Sequence, residues 1–149
     1  YYNPFSTEAQ YNSHLPHTYL PFTLSHESAH QLGFAREQEA NFVGYLVGIG
    51  SENPELRYST EYFVLKSLLR ALITEDEDFV KTIIVQYSDE MKRDYQAEKD
   101  FVEEYQGLMN TFFAFTNDLF LKTNQQEGAV TYSYFVDLLV RYERMNRNK

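Results

Sequence analysis

The chain has 149 residues, enough for one compact domain with a buried core, and its composition is that of a globular protein: 43% hydrophobic, 17% aromatic, with 13 Tyr and 12 Phe. A formal net charge of -9 argues against nucleic acid as a partner, because neutralising phosphates takes clustered Lys and Arg. Without cysteine the fold has no disulfides, and any bound metal must be held by His and carboxylate side chains.

Residues 1–21 carry Pro4, Pro16 and Pro21 and no helical period. They read as an extended or irregular lead-in, with a short strand expected around Thr18 to Leu20 and a possible edge strand within Phe5 to Asn12. A helix is expected from Pro21–Thr23 to Leu32, stopped by Gly33, and a second from about Arg36 to Ile49. Asn53 and Pro54 then supply a cap and first turn for a third helix that reaches Ile73, with Tyr62, Leu65, Leu68, Leu69 and Leu72 at three- and four-residue steps. In TEDEDF, Thr74 and Glu77 make a capping box for a fourth helix, and this dipole-favoured start accounts for the acidic run without a metal. A long fifth helix is expected from Asp89 to Lys122. NQQEG is a loop, and a last helix spans Thr131 to Met145. Arg141, Arg144, Arg147 and Lys149 gather at its end, where cations suit the helix dipole. The fold class is all-α, or nearly so, in a single domain over 1–149. No run of about 18 apolar residues or signal-peptide pattern occurs. The aromatic start YYNPF, without Met, reads as the interior of a longer protein.

The chemistry concentrates in SHESAHQLGFAREQEANFVGYL, Ser25 to Leu46, which holds His26-Glu27-Ser28-Ala29-His30, an H-E-x-x-H. Residues four apart lie roughly 40° apart around a helix, so His26 and His30 can bind one ion while Glu27 lies on the adjoining flank. That pattern suits Zn2+: two imidazoles hold the ion, and the carboxylate serves as general base toward a water whose pKa the metal lowers. From average usage, a chance H-E-x-x-H arises in roughly one chain in a few hundred of this length, so its surroundings must decide.

Gly33 ends the zinc helix three residues after His30 and lets the chain turn back. A third histidine ten residues after His26 would complete a metzincin site, but that position is Arg36, which has no lone pair for a cation. The remaining donors are carboxylates. Glu37, Asn41, Gly44 and Gly48 form one stripe of the second helix, and the glycines allow close approach to a neighbouring helix. Glu37 is therefore the favoured third ligand, with Asn41 one turn on as its support, and Glu39 is the alternative. Tyr132, opening the last helix, is the candidate donor to the oxyanion of the reaction, although with 13 tyrosines packing is the simpler role. Arg36 has two readings, a substrate carboxylate or a salt bridge to Glu39, and His14 and His17 are loop residues beside the zinc helix.

His26-Glu27-x-x-His30 followed by Glu-x-x-x-Asn resembles the gluzincin branch of zinc metallopeptidases, and EQEANF resembles the E-x-E-A-N-x-F element of bacterial regulatory metallopeptidases that cleave repressors. More closely, HESAHQLGFAREQEANFVGYL is similar to a bacterial family of uncharacterised membrane-anchored H-E-x-x-H proteins frequent in the Bacteroidetes group. The similarity runs from YYNPFSTEAQ to the KTN and VDLL segments. The resemblance implies a zinc metalloendopeptidase acting on a peptide or protein substrate, tethered to a membrane by segments outside this chain, the domain itself being soluble. It departs from the usual gluzincin pattern in one respect: only 25 residues precede His26, little room for a β-sheet before the zinc helix. The alternative is a non-catalytic domain in which zinc staples two helices for sensing or partner binding. Oligomeric state is not legible in the sequence.

Overall fold

The computed structural model describes residues 2–3, 8–9, 16–73, 75–101 and 128–147. Its helices are α1 (Leu20–Gln31), α2 (Glu37–Ile49), α3 (Pro54–Leu72), α4 (Glu77–Val85), α5 (residues 89–101) and α6 (Gly128–Arg147). Ahead of them, β1 (Tyr2–Asn3) pairs antiparallel with β2 (Glu8–Ala9), Tyr2 opposite Ala9, and this ladder lies against α1. Among the described residues the fold is all-α apart from these two short strands, and β2 falls inside the stretch from Phe5 to Asn12 where an edge strand is expected. The part of the long fifth helix expected beyond residue 101, and the NQQEG loop, lie outside the described residues.

The start of α1 corrects one expectation. No strand forms around Thr18 to Leu20: residues 17–19 make a turn, closed by the Tyr19 amide donating to the Pro16 carbonyl at 2.9 Å, and Leu20 already begins the helix. Pro21 suits the first helical turn, since its missing N–H would have no intrahelical acceptor there. Tyr19 caps the helix without a side-chain hydrogen bond, so the work falls to a neighbour. Ser59 of α3, 1% exposed, accepts the Phe22 amide at 3.0 Å and satisfies a buried donor of the first turn.

Asn53 caps α3 as its sequence implies, accepting from the Glu55 and Leu56 amides at 2.8 and 3.3 Å. At α4 the cap is Asp76, which accepts the Phe79 amide at 2.9 Å; Thr74, the expected capping-box residue, lies outside the described residues. The run contains several competent caps, and the helix register selects the one three residues before the amide it receives.

α1 packs on α2 and α3, α2 and α3 both pack on α6, and α4 packs on α3. The main core joins Tyr45, Phe135 and Leu139, flanked by Phe42, Phe63, Val64, Leu68, Val136 and Tyr142. Phe22 of α1 stacks on Phe63 with ring centroids 3.9 Å apart, linking the zinc-motif helix to this core. A second cluster of Leu69, Val80 and Tyr87 seats α4. Among the described residues no helix is long and apolar enough to cross a membrane.

Two glycines set how closely α2 approaches its neighbours. A Cβ on Gly48 would stand 1.9 Å from Thr60 Oγ1 of α3, and one on Gly44 would stand 3.3 Å from the Phe22 ring and 3.5 Å from the His26 amide nitrogen. The glycine stripe read from the sequence is thus the face by which α2 touches both α1 and α3.

Candidate metal centre

α1 and α2 meet where the H-E-x-x-H motif lies. His26 and His30 stand one turn apart on α1, with their Nε2 atoms 3.1 Å from each other and their rings edge to face. From the first turn of α2, Glu37 reaches both: Oε2 is 3.3 Å from His26 Nε2 and Oε1 is 3.4 Å from His30 Nε2. The imidazoles are mostly buried, at 13% and 11% side-chain exposure, whereas Glu37 is 60% exposed. The cluster therefore has a histidine floor within the fold and a carboxylate rim toward solvent.

These spacings bear on what the donors are arranged for. Charge-assisted N–H···O bonds between imidazolium and carboxylate shorten to about 2.7–2.9 Å, and the carboxylate contacts here are longer. Zinc bonds of about 2.0–2.1 Å at tetrahedral angles place neighbouring ligand atoms about 3.3 Å apart. The Nε2–Nε2 separation and the two carboxylate contacts, each made by a different Glu37 oxygen, are of that order. The donor set, two imidazoles and a carboxylate, is one that zinc accepts, so the residues fit the ion.

The sequence explains how the ligand face of α1 ends. Gly33 has φ +101°, the left-handed region that favours glycine. The Gly33 amide donates to the His30 carbonyl at 3.0 Å and the Phe34 amide to the Ala29 carbonyl at 3.1 Å, the paired bonds of a Schellman stop. This turn carries the Phe34 carbonyl back beside His30, whose Nδ1 donates to it at 2.7 Å. A carbonyl only accepts, so the proton of that bond resides on Nδ1.

Glu27 is buried, at 7% exposure, on the flank of α1 next to the two histidines. Carboxylates rarely sit so deep without a partner or a chemical role. The carboxyl of Glu37 is held below the ordinary carboxylate range, chiefly by its hydrogen-bonding contact with His26, against an opposing push from partial burial.

Of the two glutamates left open by the sequence, Glu37 faces the imidazoles, while Glu39 pairs with Arg36 at 3.7 Å on the surface. Asn41 is buried on the inner face of α2. His17 is exposed, and His14 lies outside the described residues. Tyr132 falls within α6, but its side chain is not among those described. Sequence reasoning missed two contributors: the Phe34 carbonyl and Ser59. A glycine three residues past His30 is the signal for the first, because it foretells a turn whose carbonyl must go somewhere. The second has no local signal, since it comes from 37 residues away.

Fold and site together define a helical domain with a His-His-Glu donor cluster at the junction of its first two helices. The chain belongs to the family described as "Protein of unknown function (DUF3810)", whose model matches residues 1–140. No curated protein and no solved structure matches it.

Proposed function

We propose that the protein is a zinc-dependent metallopeptidase in which His26, His30 and Glu37 hold the ion and Glu27 is the general base. The observation that supports this most is the spacing of the donors: two Nε2 atoms 3.1 Å apart, with carboxylate oxygens at 3.3 and 3.4 Å. The H-E-x-x-H motif followed by glycine, glutamate and asparagine, resembling gluzincins, supports it independently.

Bound zinc would supply Lewis acidity, polarising a carbonyl oxygen and bringing a water's pKa to about 7. The imidazole rings present their Nε2 lone pairs from a rigid helix. Glu37 closes the triangle from α2 while leaving the solvent side accessible. Glu27 takes the proton of the attacking water and delivers it to the leaving amine, a transfer its place beside the histidines on α1 favours. Tyr132 is the proposed donor to the developing oxyanion. The substrate is a peptide or protein segment. In the longer protein the domain is held at a membrane by segments outside this chain, in line with the resemblance to membrane-anchored bacterial proteins.

The non-catalytic reading, zinc as a staple, calls for four protein ligands in a closed site. Among the described residues the cluster has three donors, and one of them is 60% exposed, which favours the enzyme. The test is zinc content of the purified protein with peptide hydrolysis measured alongside. Wild type is expected to hold about one zinc. Glu27→Gln should keep the metal and lose hydrolysis by several orders of magnitude. A protein that takes up no zinc under any condition would end this reading.

A further inference from the structure

The two histidines are not equivalent, and the difference lies in the turn after α1. His30 Nδ1 is bonded to the Phe34 carbonyl at 2.7 Å. His26 Nδ1 is buried with no hydrogen-bond partner among the described residues. The carbonyl that engages His30 belongs to the residue after Gly33, and it stands there because Gly33 adopts φ +101° and the Schellman bonds from Gly33 to His30 and Phe34 to Ala29 close.

We infer that Gly33 is a positioning residue of the metal site: its left-handed turn aims the Phe34 carbonyl at His30 and holds that imidazole as the Nδ1–H tautomer, so that Nε2 offers its lone pair to the ion. This inference rests on the proposed metal reading for its consequence, though the tautomer itself does not depend on a metal. A neutral imidazole carries one proton, so fixing it on Nδ1 leaves Nε2 as an acceptor. That Nε2 points at His26 Nε2 and at the Glu37 carboxylate, the atoms with which it would share an ion. An outer hydrogen bond of this type also fixes ring rotation and raises the basicity of the ligand nitrogen. His30 is thereby the pre-set ligand, and His26 the one that adjusts when metal arrives.

A Cβ at Gly33 would meet nothing within 4 Å. The requirement for glycine is therefore one of backbone conformation and not of space, which separates this role from packing. Asn, the side chain that best tolerates left-handed φ, should preserve the turn in part, and Ala should not.

The decisive measurement is the 15N chemical shifts of the His30 ring in the metal-free protein at neutral pH, for wild type, Gly33→Ala and Gly33→Asn, with Zn2+ affinity taken by competition against a chromophoric chelator. Wild type should show the single Nδ1–H tautomer at His30. Gly33→Ala should show exchange between tautomers and a zinc affinity about 10–100-fold weaker, with Gly33→Asn between the two. A folded Gly33→Ala that keeps both the His30 tautomer and wild-type affinity would overturn the inference, as would a wild type whose His30 proton sits on Nε2. Should Gly33→Ala fail to fold, the wild-type shifts and Gly33→Asn decide the matter. A wild type with the Nδ1–H tautomer and no affinity for Zn2+ would sustain the turn's role and sink the peptidase reading instead.

Discussion

At the scale of single residues, the cluster of His26, His30 and Glu37 is rich in electron pairs and poor in protons. With the His30 proton committed to the Phe34 carbonyl, His30 Nε2 faces His26 Nε2 and the Glu37 carboxylate with a lone pair. Such an arrangement favours a cation, and under the proposed reading each ligand is separately testable. Glu37→Ala is expected to weaken zinc binding by two or more orders of magnitude, because one of three protein ligands is gone. Glu39→Ala should leave it unchanged, since that side chain is engaged with Arg36 at the surface. Isothermal titration of the two variants distinguishes them, and an equal loss in both would show that the carboxylates act only through charge. The sequence favoured Glu37, through its stripe with Asn41, Gly44 and Gly48, and left Glu39 as the alternative. Residues two apart point about 200° apart around a helix, so the decision depends on how α2 is rotated about its axis. That rotation is fixed by contacts with α1, α3 and the sequence-distant α6, and a single segment does not carry it.

At the scale of elements, the rotation and approach of α2 come from its two inner glycines. Gly48 leaves no room for a methyl group: a Cβ would fall 1.9 Å from Thr60 Oγ1, and Thr60 is itself fully buried with its hydroxyl donating to the Leu56 carbonyl at 2.7 Å. Gly48→Ala should therefore push α2 off α3 and cost about 1–3 kcal/mol in urea-unfolding stability, despite the better helix propensity of alanine. An unchanged or raised midpoint would mean that the interface yields more easily than close packing implies. Ser59 makes the complementary case. Ser59→Ala strips the Phe22 amide of its acceptor in a buried setting, and a loss of about 1–3 kcal/mol is expected from the same measurement. The glycine stripe was legible because small residues at helical spacing have few other uses. The Ser59 bond was not, because a serine in mid-helix has no pattern to mark it. The cap at α4 lies between these cases: the acidic run announced a helix start, and only the backbone register shows that Asp76 receives the first amide. The supposed strand at Thr18 to Leu20 failed for a tertiary reason. Tyr19 lays its ring edge-on to Tyr62 at 5.9 Å, and Pro21 carries the chain straight into α1.

At the scale of the whole molecule, α2 and α3 are held to α6 by the core around Phe135, which is fully buried, and α1 joins that core through Phe22 stacked on Phe63. The cluster of His26, His30 and Glu37 spans the junction of α1 and α2, so under the proposed reading ion binding is coupled to folding. The periodicity of α6 reveals its apolar face, but not that α2 and α3 receive it. That pairing arises from contacts such as Tyr45 donating to Glu143, 98 residues apart, for which no local sequence signal exists. On that reading, zinc held between α1 and α2 would bind the folded state, where the donors converge, in preference to the unfolded chain, where they do not. Free Zn2+ at 100 times its dissociation constant should then add about 2.7 kcal/mol. For a chain of this size each kcal/mol raises the midpoint by about 2–4 °C, so the melting temperature should rise by about 5–10 °C. Scanning calorimetry with and without Zn2+ tests this, and the pattern across variants carries the information. Glu27→Gln should show the full rise, since the proposed general base is not one of the proposed ligands, while His30→Ala and Glu37→Ala should show little or none. A rise of equal size in Glu37→Ala would place the stabilising ion elsewhere on this acidic surface, whereas its loss there alongside retention in Glu27→Gln would tie the metal, the helix junction and the fold to one site.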